Sequence, residues 1–468
     1  MSGDSSLFAP PCAFTLAEVL AATGGRLVGG PGGGTFAPVT GSHRAGPGAL
    51  FVALAGETHD GHDFVPDAMA QGSAALVSSR WAGLGFLQPG SPTVIVVADT
   101  LVALGDLARF HLQRIGPAIA AVTGSVGKTT TRAMLAEMLR TALGPGLETE
   151  GNFNNRIGVP LTAMHLRPGQ RWAVLELGMS EPGEIRALAA ITRPRVRVIT
   201  QIAAAHLAHF DNIEQIADAK GELFEDARPG DGLVFPLDQP LYRRFPRPWG
   251  ARLLPFSMEA DAPVPFRLAA CSDLGLEGSL ATLDLAGHHV AVRIPLPGRH
   301  QVWNALAAAT AAFDLGVDGD AIAAALARVQ VPGRRMRRED RGGVVILDDC
   351  YNANPASMDA ALRTLASLPA SGRRVAALGD MLELGPAGPE LHREVGRLAG
   401  ELGITWFLGV GPLMEHAVAE AAAAGVWATH VPNAWTAGDL LKEGLTAGDV
   451  LLLKGSRGMR MEGALERL

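Results

Sequence analysis

The chain has 468 residues, room for about three domains, and its 48% hydrophobic share lets each bury its own core. Its 40 basic and 47 acidic side chains leave a formal charge of −7 with no long basic run, which argues against nucleic acid as the main partner. Three cysteines without a C-x-x-C pair argue against a disulfide framework or a zinc site. No apolar run approaches the roughly 18 residues of a membrane span, and the N-terminus lacks a signal-peptide pattern, so a cytoplasmic setting is expected.

Residues 1–113 read as a small α/β domain. FTLAEVLAATGG predicts a helix closed by glycines, and VPDAMAQG a short helix. ALFVAL, AALVSS and TVIVVAD read as strands, and LVALGDLARFHLQRIG as an amphipathic helix into the next domain. The loop 56–64 carries His59, Asp60, His62 and Asp63, which could form a metal cluster or a polar, solvated loop.

The central domain, 114–332, begins with AIAAVTGSVGKTTTRAMLAEML. Ala118 to Val122 is a buried strand, Thr123 to Lys128 a glycine-rich turn, and a helix opens at Thr129. This is a phosphate cradle: glycines let backbone N–H groups converge on an anion, and the helix N-terminus adds partial positive charge. Thr123, Gly124, Ser125, Val126, Gly127, Lys128, Thr129 and Thr130 are therefore the expected ATP-binding stretch. Lys128 would reach the terminal phosphates and the Thr129 hydroxyl would face Mg²⁺. The common G-x-x-x-x-G-K-[ST] form would need glycine at position 122, where Val122 stands, so T-G-S-V-G-K-T-T is a shorter variant.

Further strands and helices alternate through RWAVLELGMSEPGEI and RVRVITQIAAAHLAHFDNIEQIADAKGELF, implying a mostly parallel sheet. Glu176 ends one strand and His206 follows another, at the edge where such sheets bind ligands. A carboxylate there can hold Mg²⁺. From Val234 to Pro297 short runs with many prolines predict an antiparallel flap. PGRHQVWNALAAATAAFDLG then places His300 and Asn304 at the start of an alanine-rich helix.

Residues 333–468 show repeated strand–loop–helix units, as in a Rossmann-like sheet, but no G-x-G-x-x-G follows the first strand. The fold class expected is thus α/β, with three domains. A central P-loop parallel-sheet ATPase domain is flanked by a small N-terminal α/β domain and a Rossmann-like C-terminal one.

At this point the motifs carry a resemblance. T-G-S-V-G-K-T-T, G-N-F-N-N-R-I-G-V-P, L-E-L-G, A-A-A-H-L and A-K-G-E-L-F together resemble the central domain of the Mur ligases, ATP-dependent amide-forming enzymes of peptidoglycan precursor synthesis. D-D-C-Y-N-A-N-P-A-S-M, G-D-M-L-E-L-G and K-G-S-R-G-M-R-M-E resemble the branch that joins D-alanyl-D-alanine to UDP-N-acetylmuramoyl-tripeptide. The likeness covers nearly the whole chain. It implies that residues 1–113 hold the UDP-substrate and 333–468 the amino substrate. It implies that Lys128 contacts the phosphates, that Thr129, Glu176 and His206 serve Mg²⁺, and that Lys220 becomes a carbamate with CO₂. The alternative for Lys220 is an ordinary surface lysine on a helix. Asn304 would meet the adenine, Arg334 the γ-phosphate and Asp349 the ribose. Asn154 and Asn155 would face the uridylyl-muramoyl peptide, and Asn352, Asn354, Lys454 and Arg457 the dipeptide.

The chain departs from the family pattern in places. Gln301 replaces an asparagine of G-x-H-N-x-x-N. The uridine segment reads Gly41-Ser42-His43, keeping Ser42 but lacking the acid, and Cys350 stands where serine is frequent. The implied reaction activates the tripeptide carboxylate as an acyl phosphate, which the dipeptide amine then attacks, with His206 one candidate for the base. A monomer without a membrane span is expected. Two other readings stay open. One is a different Mur-type or folylpolyglutamate-type ligase; the other is a P-loop NTPase switch.

Overall fold

A computed structural model describes residues 12–56, 58–87, 91–204 and 210–468, and within them the strands fall into three sheets, each built by one continuous stretch of chain. The first holds β1 (Phe14–Thr15), β2 (Arg26–Gly29), β3 (Thr35–Val39), β4 (Ala49–Val52), β5 (Ala74–Ser78) and β6 (Val94–Val97), in the order β1-β3-β4-β5-β6-β2. β3 to β6 are parallel, and β1 and β2 close the edges antiparallel. Helices α1 (Leu16–Thr23) and α2 (Val65–Ala70) connect strands of this sheet, and α3 (Thr100–Ile115) leads from β6 to the next. The Thr15–Glu18 capping box starts α1, and Gly24 in the left-handed region ends it, as the glycine pair predicts.

The second sheet holds β7 (Ala118–Thr123), β8 (Leu147–Glu148), β9 (Trp172–Glu176), β10 (Val196–Ile199), β11 (Gly232–Pro236), β12 (Arg252–Ser257), β13 (Phe266–Asp273), β14 (Ser279–Leu285) and β15 (His288–Ile294). Its order is β15-β14-β13-β12-β11-β10-β7-β9-β8. The helices are α4 (Lys128–Leu143), α5 (Gly158–Ala163), α6 (Glu184–Thr192), α7 (Ile213–Glu225), α8 (Arg299–Asp314) and α9 (Gly319–Leu326). The antiparallel flap expected over 234–297 needs correction. β10 to β13 pair parallel, only β13-β14-β15 are antiparallel, and all extend the same sheet. The short connections without long helices hid the parallel pairing, because a crossover needs only a segment long enough to return.

The third sheet holds β16 (Arg337–Arg341), β17 (Val344–Asp349), β18 (Arg374–Gly379), β19 (Trp406–Val410), β20 (Trp427–Val431) and β21 (Val450–Lys454), ordered β16-β17-β21-β18-β19-β20. All its pairings are parallel except the β16–β17 hairpin. Its helices are α10 (Pro355–Ser367), α11 (Gly388–Glu401), α12 (Met414–Ala423), α13 (Ala434–Gly444) and α14 (Glu462–Leu465). Alternate strand residues feed opposite faces. Leu347, Leu378 and Leu452 pack with α10 and α11, while Ile346, Leu451 and Leu453 pack with α13 and α14. Covering both faces is what makes these strands near-continuous apolar runs.

The chain divides into two compact units, one of Met1–Ala121, Leu143–Met179 and Gly183–Arg195, the other of Val122–Ala142, Ser180–Pro182 and Val196–Leu468. Among the described residues no helix is long and apolar enough to cross a membrane.

Candidate functional site

In the second unit the glycine-rich loop leaves β7 and enters α4 at Lys128. Gly124 has φ +148° and Gly127 φ +87°. A Cβ at Gly124 would lie 2.0 Å from Thr200 Oγ1, and one at Gly127 2.2 Å from Asn304 Oδ1. Both positions thus demand glycine by conformation and by space. The loop is tied to the end of β10. Ser125 N–H donates to Gln201 C=O at 2.7 Å, Ser125 Oγ to Ala203 C=O at 2.8 Å, and Thr200 Oγ1 to Val126 C=O at 2.6 Å. Lys128 Nζ folds over the loop and donates to Gly124 C=O at 2.8 Å. Loop amides, an ammonium and a helix N-terminus thus converge, the arrangement that binds polyphosphate.

Lys220 lies in α7 and is 1% exposed, so it is not a surface lysine. Burial pushes its ammonium well below the usual lysine range, and the Lys128 charge pushes it further the same way. Among the described residues no carboxylate or carbonyl takes its ammonium.

Asn304 sits in α8 beside the loop. Its Oδ1 accepts from Thr131 Oγ1 at 3.4 Å, and its Nδ2 donates to Gln301 Oε1 at 3.3 Å. Gln301, the departure from the family asparagine, continues the chain to His300 Nε2 at 2.9 Å. Burial holds His300 down to about 4, with Lys454 adding to the effect, so the ring is neutral and accepts that bond.

Besides Lys128, Arg335 lies beside the loop, a residue the sequence reading did not name. Arg335 Nη2 donates to Thr129 Oγ1 at 3.1 Å, whereas Arg334 Nη1 lies on Asp348 at 2.6 Å. In an R-R pair no periodicity tells which side chain turns toward the loop. Asp349, expected at a ribose, accepts from Lys454 Nζ at 2.6 Å and from Met336 N–H at 3.2 Å. Burial raises the Asp349 carboxyl, and Lys454 opposes that rise. Lys454 also donates to Asn352 C=O at 2.9 Å. The Asn354 side chain caps α10 through Ser357 N–H at 2.9 Å, and Arg457 meets Glu462 at 2.8 Å.

The other expected residues belong to the first unit. Glu176 ends β9, is 3% exposed and accepts from Asn154 Nδ2 at 2.9 Å. Asn155 Oδ1 accepts from Gly158 N–H at 2.8 Å, a local turn. Ser42 opens the short 3₁₀ turn Ser42–Arg44. His206 lies outside the described residues. The loop with His59 and Asp63 is no metal cluster. Asp60 Oδ1 accepts from His62 N–H and pairs with His62 Nδ1, and His62 Nε2 accepts from Ser78 N–H. Its polar residues thus fasten it to β5. Among the described residues no three His, Cys, Asp or Glu side chains converge on a metal position.

Three family patterns match the chain in order: Mur ligase family, catalytic domain, at residues 39–111; Mur ligase middle domain at 122–312; and Mur ligase, glutamate ligase domain, at 333–457. The chain is 37% identical over 435 residues to the UDP-N-acetylmuramoyl-tripeptide–D-alanyl-D-alanine ligase of Escherichia coli strain K12, covering 92% of this chain and 93% of that one. It is similar to the crystal structure of MurF from Acinetobacter baumannii, with TM-score 0.87, 29% identity, and 98% and 99% of the two chains covered. It is also similar to MurF ligase from Thermotoga maritima in complex with ADP, with TM-score 0.80, 27% identity, and coverages of 92% and 96%.

Proposed function

The chain belongs to the Mur ligase family, and from that premise we infer that it joins D-alanyl-D-alanine to UDP-N-acetylmuramoyl-tripeptide with conversion of ATP to ADP and phosphate. The observation that carries this reading is the likeness to the E. coli ligase. It runs through 92% of the chain, whereas a phosphate loop alone is shared by switches, motors and other ligases. The tripeptide carboxylate is a poor acyl donor until phosphorylated. Its attack on the γ-phosphate gives an acyl phosphate and ADP. The dipeptide amine then adds to the acyl carbon, and phosphate leaves from the tetrahedral intermediate.

The loop amides and Lys128 bind the phosphates and offset the charge that gathers on their oxygens. Arg335, at Thr129, adds a second cation there, the role the sequence reading gave Arg334. Asn304, whose carboxamide is held by Thr131 and Gln301, would meet the adenine. The domain at 1–113 takes the uridylyl substrate through the segment at Ser42, Asn154 and Asn155 take the peptide side, and the domain at 333–468 takes the dipeptide near Asn352 and Lys454.

The donors suit Mg²⁺, a hard cation that takes oxygen ligands. The Thr129 hydroxyl is such an oxygen, and Glu176 and His206 join the set on resemblance. When bound, the ion would neutralise phosphate charge. Lys220 fits as a third oxygen donor only after modification. Burial favours the neutral form of its amine, which can attack the carbon of CO₂ and release a proton to water, leaving an anionic carbamate.

The test is phosphate release from ATP with UDP-N-acetylmuramoyl-tripeptide and D-alanyl-D-alanine, each omitted in turn. Release should require both. Release with a single amino acid in place of the dipeptide would move the chain to another branch of the family. Release without either acceptor, stimulated by a macromolecule, would return it to the NTPase switches.

A further inference from the structure

Arg335 is held in an unusual way. Its guanidinium carbon lies 3.7 Å from the centroid of the Tyr351 ring. The other arginine–aromatic pairs among the described residues lie at 5.3 to 5.9 Å, so this one alone is in full face contact. The backbone around it is built for that contact. Gly333 has φ +84°, and a Cβ there would sit 2.9 Å from Arg335 Nη1 and 3.6 Å from Tyr351 Cδ2. Three residues on, Met336 has φ +55°, a left-handed conformation that a residue with a side chain adopts only at a cost. Its burial and its N–H bond to Asp349 hold it there. Tyr351 N–H donates to Arg334 C=O at 3.1 Å, which joins the two loops. Strained backbone kept in place by its surroundings gathers at functional sites.

We propose that Tyr351 is a positioning residue that carries Arg335 on its aromatic face and thereby aims the guanidinium edge at the γ-phosphate of ATP. The proposal rests on the ligase reading above. A guanidinium presents its five N–H donors in its own plane, so a ring against its face uses none of them. Nη1 gives one bond to Pro332 C=O at 3.0 Å and Nη2 one to Thr129 Oγ1. That leaves three of its five N–H donors for further bonds, such as those to a phosphoryl oxygen. Freed from the ring, the long side chain would have to lose its rotamer freedom when the triphosphate arrives. Stacked, it has already lost it. An aliphatic residue of similar size would fill the space without the attraction between cation and ring quadrupole.

The test separates the ring from its volume and the γ-phosphate from the rest of the nucleotide. Calorimetric binding of ADP and of a non-hydrolysable triphosphate analogue, both with Mg²⁺, is measured on the unmodified chain and on Tyr351→Phe, Tyr351→Leu, Arg335→Ala and the double variant. The unmodified chain and Tyr351→Phe should prefer the triphosphate to the same degree. Tyr351→Leu should lose about 2- to 30-fold of that preference, the span of a cation–π contact, with ADP affinity unchanged. Adding Tyr351→Leu to Arg335→Ala should cost nothing further. Tyr351→Met repeats the measurement if the leucine variant folds poorly. Equal behaviour of Leu and Phe overturns the proposal, and so does no triphosphate preference in the unmodified chain. A parallel loss of ADP affinity in the leucine variant also overturns it, because the ring would then touch the nucleotide itself. These readouts need no acceptor, so a chain that fails to ligate the dipeptide but passes them rejects only the ligase reading.

Discussion

A buried ammonium facing another cation is costly, and Lys220, buried and disfavoured further by the Lys128 charge, is such a case. Structural lysines normally keep the ammonium in water and bury only the stem. A fully buried amine without an acceptor is therefore better explained by a neutral or modified group than by a packing role. Lys220→Ala should lower kcat by on the order of 10²–10³-fold, the effect of removing one placed electrostatic group. Short-chain carboxylates such as formate or acetate should restore part of the rate by supplying the missing anion, while the melting temperature stays near that of the parent. Full activity, or loss that no carboxylate relieves, would count against the carbamate.

The strand–loop–helix unit at 118–143 was legible in the sequence because its signal is local: an apolar run, glycines at fixed offsets, then helical spacing. The structure adds why those glycines cannot change. Gly127→Ala forces a Cβ to within 2.2 Å of Asn304 Oδ1 at φ +87°. ATP affinity should drop at least tenfold, since either the loop or the Asn304 carboxamide must move by more than 1 Å. Gly85→Ala, with open space around the added Cβ, should leave ATP affinity unchanged. Equal affinities in the two variants would show that the loop tolerates the added group. What the sequence did not disclose has a common physical form. β2, β3, β16 and β20 are short edge or near-edge strands whose pairing, not their composition, makes them strands. Asn155 and Asn354 also cap backbone turns, a role that residue type alone does not announce. The choice between Arg334 and Arg335 depends on two left-handed residues, Gly333 and Met336, that reverse the chain between them.

Each of the three sheet regions encloses a histidine that works as a neutral acceptor, which makes the whole chain sensitive to acid. His111 Nδ1 accepts from Arg114 Nη2 while Nε2–H donates to Leu166 C=O. His392 Nε2 accepts from Met381 N–H while Nδ1–H donates to Gly388 C=O. His300 accepts from Gln301. Burial lowers all three, His300 to about 4. Protonating any of them charges an enclosed ring and turns an acceptor into a donor facing a donor. The unfolded chain, with histidines near 6.5, then binds more protons than the folded one below that pH. Stability is thus fully present above about pH 6.5 and is lost as pH falls toward the folded values, by at most about 1.4 kcal/mol per pH unit for each such histidine. Urea midpoints taken between pH 7.5 and 5.0 should fall over that window, most steeply below 6.5. His392→Gln, which keeps a donor and an acceptor but cannot titrate, should be less stable at pH 7.5 yet show a shallower slope. An unchanged slope in that variant would mean that His392 already titrates in the folded chain much as it does in the unfolded one. The acid response would then have to come from carboxylates instead.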